Sequence, residues 1–167
     1  MEMRLSDFPE TSYEVRNSIF ENSIPGDERH RFGQYFTRSD VVDIIIGFCV
    51  KTGDEMVLDP ACGAGIFLTR AYMRKKMKKS RKSHDEILSE LEGVDIAESM
   101  CCLSRRNLTI KDIFSGFCPN VENIDFFNLI PNEKFDVVAT NPPYMRQEEL
   151  GLAYSKDYKS KLKKIAK

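Results

Sequence analysis

The chain has 167 residues, 41% of them hydrophobic, and a formal net charge of −1. That is enough for one domain with a packed core; no apolar run reaches the ~20 residues a membrane-spanning helix needs, and the segment Met1 to Phe8, with Glu2 and Asp7, lacks the apolar centre of a signal peptide. The five cysteines form no Cys-x-x-Cys pair and the two histidines, His30 and His84, lie in polar stretches, which argues against a disulfide framework, a zinc site or a histidine-based triad and for reduced thiols in a cytoplasmic protein.

Met1 to Asp27 shows weak helical periodicity around Tyr13, Val15, Ile19 and Phe20, broken at Pro25-Gly26-Asp27. An aromatic-rich loop, Arg31 to Thr37, leads to a helix that Thr37 or Ser39 caps and that carries Val41, Val42, Ile44, Ile45 and Phe48, ending at Gly53. Glu55 to Asp59 is a short strand ending on an acid. Pro60-Ala61-Cys62-Gly63-Ala64-Gly65 is a glycine turn, and a helix follows from about Ile66. That helix enters a basic stretch, Arg70 to Lys82, whose cations suit a solvated helix end as well as they suit nucleic acid. The helix starts at the glycine turn and runs away from it at 1.5 Å per residue, so the solvated surface is the expectation for the basic stretch.

Asp85 to Leu91 reads as a second short helix, Leu91 to Ile96 as a strand ending on Asp95, and Ala97 to Thr109 as a helix. Asn123 to Phe127 reads as a strand around Asp125, and Phe135 to Thr140 as a buried strand. Residues 147–167 are polar and Lys-rich. Strands that alternate with helices predict a parallel sheet flanked by helices.

The last strand runs into Asn141-Pro142-Pro143-Tyr144. Proline cannot continue a ladder, so the chain leaves the sheet there. In open α/β sheets this C-terminal edge is where ligands bind. The Asn141 carboxamide oxygen and the Pro142 carbonyl are two uncharged acceptors suited to an NH2 group, and Tyr144 offers a flat face to a base. The four residues by themselves also describe a proline-rich turn closing a core strand. The glycine turn lacks the third glycine of a dinucleotide fingerprint, with Leu68 in its place. Instead Asp59, Asp95 and Asp125 are expected near the ends of successive strands, suited to an ammonium, a ribose diol and an adenine amino group. An amine, a ribose and an adenine without phosphate describe S-adenosylmethionine.

On these residues the chain resembles the amino-group DNA methyltransferases that make N6-methyladenine, closest to type I modification subunits and type IIG restriction–modification enzymes. The likeness runs from about Arg31 to Glu149. Phe32-Gly33-Gln34-Tyr35-Phe36-Thr37 is similar to the family's upstream cofactor motif, which implies that Tyr35, Phe36 and Thr37 contact the methionine part. The segment Asp59 to Gly65 is similar to the main cofactor loop, with Asp59, Ala61, Gly63 and Gly65 as implied contacts. Gly93-Val94-Asp95-Ile96 resembles the segment whose acid holds the ribose and whose next residue packs on adenine. Asp125-Phe126 resembles the adenine-amino contact, and Asn141-Pro142-Pro143-Tyr144 the catalytic tetrapeptide, with Asn141 also beside the cofactor. Met145-Arg146-Gln147-Glu148 resembles the type IIG branch. Arg38 departs from the proline that many relatives carry at the helix start.

The resemblance implies a partial Rossmann-like methyltransferase fold, a mostly parallel sheet flanked by helices with its C-terminal strands missing. It divides the chain into a helical segment 1–30, a cofactor-binding and catalytic-motif part 31–146, and a polar tail 147–167. It implies a fragment, inactive by itself, of an enzyme that methylates the N6 amine of adenine in a restriction–modification system. Expected partners are double-stranded DNA, a specificity subunit or fused recognition domain, and a second copy of the chain paired at the sheet edge left open at Phe135 to Ala139. Methylation of a protein glutamine amide or an RNA guanine amine, or a non-catalytic cofactor-binding module, would use the same motifs.

Overall fold

The structure, a computed structural model, describes residues 37–111, 116–129 and 134–142. The chain divides into units 1–35 and 36–167, and the described residues belong to the second. The expected helical segment 1–30, the aromatic residues Tyr35, Phe36 and Tyr144, and the tail 147–167 lie outside the described residues.

In chain order the described elements are α1 (Ser39–Cys49), β1 (Val57–Asp59), α2 (Ile66–Lys78), α3 (His84–Leu88), β2 (Leu91–Asp95), α4 (Glu98–Thr109), β3 (Asn120–Asn123), a 3-10 turn (Phe126–Asn128) and β4 (Val137–Val138). The four strands form one sheet in the order β3-β2-β1-β4, and every pairing is parallel. This is the sheet flanked by helices expected from the alternation of elements.

Position in the sheet explains each strand's composition. β1 is paired on both sides, and all three of its residues are buried. A strand enclosed in this way favours apolar residues, here Val57 and Leu58, and Asp59 at its end is the buried exception. β3 lies at an edge of the described sheet and buries only Val121, so Asn120, Glu122 and Asn123 are tolerated there. β4 forms the other edge: Val137 faces inward and Val138 is 62% exposed. The core is completed by Val42 and Ile46 of α1, Leu68 and Ala71 of α2, Ile87 and Leu88 of α3, and Met100 and Leu108 of α4. Helix α2 packs on α1, β1 and β2, and α4 packs on β2 and β3.

Several expectations are corrected. Helix α1 stops at Cys49 rather than Gly53, because the Glu55 carboxylate takes the N–H groups of Lys51, Thr52 and Gly53 at 2.8, 2.7 and 2.8 Å. Those donors bend the chain into a turn instead of prolonging the helix. Partial burial of Glu55 works against its charge, but the backbone N–H groups prevail and hold its pKa at about 2. The helix also begins without a side-chain cap, after Arg38 in extended conformation. The third strand lies earlier than Asn123 to Phe127: β3 pairs Asn120 with Glu92 and Asn123 with Asp95. Asp125 falls beyond it and caps the 3-10 turn through Phe127 N–H at 3.0 Å. The fourth strand is shorter than Phe135 to Thr140, although Ala139 N–H still reaches Leu58 O at 3.0 Å.

The basic stretch brings a further correction, and it is partial. Helix α2 does carry it to the sheet's N-terminal edge, but Lys75 is fully buried rather than solvated. Its ammonium donates to the Glu55 carbonyl and to Glu90 Oε2 at 2.9 Å. Lys82 bridges Glu90 at 2.5 Å and Asp54 at 2.8 Å, and Lys79 meets Asp54 at 2.9 Å. These cations tie α2 and the following loop to the starts of β1 and β2. His84, expected in a polar stretch, is buried, with Nδ1 2.9 Å from the Tyr72 hydroxyl. The capping box of Ser83 and Glu86 turns it inward at the start of α3.

Candidate functional site

The chain proceeds from β1 outward through β2 to β3, then returns to place β4 on the other side of β1. The reversal makes the C-terminal ends of β1 and β4 a topological switch point, the place where open parallel sheets form crevices.

The glycine turn leaves β1 at this point. Asp59 Oδ1 accepts Ala61 N–H at 3.2 Å, and Cys62 N–H donates to Val94 O at 2.8 Å, which draws the turn across β2. Gly63 has φ +51°, and a Cβ there would meet nothing within 4 Å, so its backbone faces open space. Gly65 has φ +80° and is packed on α4: a Cβ would stand 2.3 Å from Ser104 Oγ. Only glycine satisfies both conditions at position 65. Asn107 Nδ2 donates to Ala64 O at 3.0 Å, a second tie to α4.

Asp95 closes β2 with both carboxylate oxygens on backbone donors. Oδ2 accepts Gly63 N–H at 2.8 Å and Oδ1 accepts Ala97 N–H at 2.8 Å. Burial raises its pKa above the ordinary carboxylate value, and those bonds only partly offset it. Ile96 beside it is 53% exposed, and Phe126 next to Asp125 is 44% exposed. Both are apolar surfaces at the C-terminal edge.

Asp59 is fully buried, and burial pushes its pKa up to about 7. The Thr140 hydroxyl and Ala61 N–H favour its charge, and the neighbouring Asp95 opposes it. The approach of Thr140 stops short of a full hydrogen bond, so neither Asp59 Oδ2 nor Thr140 Oγ1 is fully satisfied among the described residues. An orphaned buried carboxylate oxygen next to an open glycine backbone suits a cationic group.

Asn141 follows β4 at the same edge. Its Nδ2 donates to Thr37 Oγ1 at 2.9 Å, and Pro142 is exposed. Thr37 therefore holds Asn141 rather than capping α1. The structure thus gathers Thr37, Asp59, Ala61, Gly63, Gly65, Asp95, Ile96 and Asn141 at one edge, with Asp125 and Phe126 past the end of β3. Sequence reasoning missed Asn107, Ser104, Asn123 and Thr140. Asn123 Nδ2 donates to Asp95 O at 3.0 Å and steadies the end of β2. A mid-helix Asn107 among basic neighbours was the one sequence signal of such a role.

The N-6 DNA Methylase family matches residues 19–166. The chain belongs to this family. Among similar proteins, the type II methyltransferase M.CvrRI of Paramecium bursaria Chlorella virus XZ-6E is 28% identical over 132 residues, covering 79% of this chain and 30% of that protein. The type I restriction enzyme EcoEI methylase subunit of Escherichia coli is 26% identical over 123 residues, covering 72% of this chain and 25% of that protein. The fold is similar to a crystal structure of a modification subunit ascribed to a type I restriction enzyme of Vibrio vulnificus YJ016, with TM-score 0.61 and 21% identity over 94% of this chain and 33% of that one. The chain thus spans about a third or less of the length of these relatives. Among its described residues no helix is long and apolar enough to cross a membrane.

Proposed function

We propose that this chain forms the cofactor-binding and catalytic-motif part of a methyltransferase acting on the N6 amine of adenine in double-stranded DNA, within a restriction–modification system. The observation that carries the reading is the placement of Asn141 at the β1/β4 switch point, beside a glycine turn that Asp95 anchors. Membership of the N-6 DNA Methylase family supports it.

The proposed cofactor is S-adenosylmethionine, which supplies an electrophilic methyl carbon when bound. The residues present fit it. Asp59 offers a buried carboxylate oxygen to the ammonium, the open backbone at Gly63 lets the methionine part approach, and Asp95 at the end of β2 meets the ribose. Ile96 and Phe126 provide exposed apolar surface for adenine, with Asp125 next to its amine. The remaining contacts are assigned to Tyr35, Phe36, Thr37, Ala61, Gly65 and Asn141.

The target adenine leaves the duplex to be reached, with Tyr144 as the stacking partner. Asn141 Oδ1 and the Pro142 carbonyl accept the two amine hydrogens. These two acceptors would turn the nitrogen lone pair toward the methyl carbon that a bound donor would supply, and the excess amine proton would pass to solvent. Positioning and complementarity to the developing ammonium supply the rate.

A specificity subunit or fused recognition domain would choose the DNA sequence. A second copy could pair at β4, whose Val138 is exposed at the edge of the described sheet. The cytoplasm is the proposed location.

Methyl transfer from radiolabelled S-adenosylmethionine is the test, run with this chain and with the full polypeptide its gene encodes. The expected product is N6-methyladenine in duplex DNA, made by the full polypeptide and abolished by Asn141→Ala. Label found instead in protein glutamine or RNA guanine would replace the substrate assignment, and no transfer to any of them would leave a binding module.

A further inference from the structure

We propose that Thr37 is a positioning residue that sets which face of the Asn141 amide meets the target amine, and that cofactor occupancy is relayed through its hydroxyl. The inference rests on the methyltransferase reading. Asn141 must present its oxygen, since the alternative flip would set its NH2 against the NH2 of the substrate. A part-buried carboxamide at a strand end has no intrinsic preference between these two orientations. Here Nδ2 donates to Thr37 Oγ1 at 2.9 Å, which leaves Oδ1 as the outward atom. Among the described residues nothing donates to Oδ1.

The two residues are distant in sequence, and each is held by its own element. Thr37 stands just before α1, whose Val42 and Ile46 are buried, while Asn141 follows Ala139, itself buried and bonded to Leu58. The sheet and helix therefore fix the separation, and the role the hydroxyl takes in the hydrogen bond decides the flip. A hydroxyl both donates and accepts, so Thr37 by itself would tolerate either amide face. A carboxylate at the methionine end of the cofactor changes that. With the Thr37 proton donated to such a carboxylate, only lone pairs would face Asn141, and only the Nδ2 group could pair with them. Cofactor binding would then lock the amide in its productive orientation before a base arrives.

The chain labelled with 15N-asparagine gives the direct readout, with the Asn141 side-chain signals identified by their loss in Asn141→Asp. Addition of S-adenosylhomocysteine is expected to shift the hydrogen-bonded Asn141 proton downfield in wild type and in Thr37→Ser, and to leave it at a free-amide position in Thr37→Val. In the full polypeptide, at saturating methyl donor, Thr37→Val should lower kcat about tenfold, the scale of one lost hydrogen bond, with Thr37→Ser within about twofold of wild type. Wild-type Asn141 signals at the free-amide position with and without S-adenosylhomocysteine would overturn the proposal even if Thr37→Val failed to fold. So would a Thr37→Val enzyme whose kcat is intact and whose only defect is in donor affinity. Failure of the methyltransferase reading would show separately, as a wild-type polypeptide that transfers no methyl group.

Discussion

Asp95 Oδ2 accepts the backbone N–H of Gly63 at 2.8 Å, so the acid that ends β2 also holds the turn that ends β1. Its other oxygen holds Ala97 N–H at the start of α4. The acid thus shapes the turn before any ligand arrives. Asp95→Ala would leave both part-buried N–H groups without their acceptor, at a cost of about 1 kcal/mol. Urea unfolding should show that loss, and calorimetry with S-adenosylmethionine should show little or no remaining heat. Equal heats for wild type and variant would remove Asp95 from the cofactor site.

Gly65→Ala is predicted to be among the most damaging single-methyl additions in the chain. Its left-handed backbone disfavours any side chain by about 1–2 kcal/mol, and the new Cβ would lie 2.3 Å from Ser104 Oγ. Combining it with Ser104→Gly should recover the steric part and leave the backbone part. A double variant no more stable than Gly65→Ala would show that the clash is not the cause.

Asp59 gives stability a pH dependence. Its folded value of about 7 lies above the ordinary 3.8, so between them the folded chain keeps a proton that the unfolded chain has released. The resulting stability is fully present below about pH 4 and is lost as the pH rises to about 7. Over that window the loss is up to about 4 kcal/mol for a three-unit shift. Asp59→Asn should flatten this part of the profile in urea titrations at pH 5 and pH 8. An ammonium ligand favours the charged form, so S-adenosylmethionine affinity should increase as the pH rises through about 7. An unchanged profile in Asp59→Asn would contradict this origin.

The cations at the other end of the sheet are predicted to hold the fold rather than DNA. Lys75→Met would leave the Glu55 carbonyl and part of Glu90 uncompensated, costing about 3 kcal/mol. Neutralising Lys76, Lys78 and Lys79 together should leave the KM for DNA nearly unchanged in the full polypeptide. A tenfold rise would place DNA on this surface after all.

Much of the candidate site's placement was legible because it is set by local sequence. The glycine turn, the start of α2 at Ile66 and the acids closing β1 and β2 each follow from a short run of residues with one conformational solution. What escaped depends on contacts between distant segments. β3 was displaced because Asn120-Val121-Glu122-Asn123 has a single apolar residue, and only its register against β2 makes it a strand. Lys75 looked like one cation of a solvated run, yet the helical turn aims it under the sheet at Glu90. Thr37 was expected to cap a helix or touch the cofactor, and its bond to Asn141 spans 104 residues. No local pattern announces such a partner.

The measurement that bears most directly on the account is a 15N–1H spectrum of the chain titrated with S-adenosylmethionine. The turn and strand ends at the β1/β4 switch point are predicted to respond together: the backbone N–H of Gly63, Gly65, Ile96 and Ala97 and the side chain of Asn141 should shift with one common affinity, while Lys75, Lys82 and Glu90 at the opposite edge stay in place. Saturable shifts centred on the Lys75 end, or none at any residue, would contradict the assignment of the switch point as the methyl-donor site.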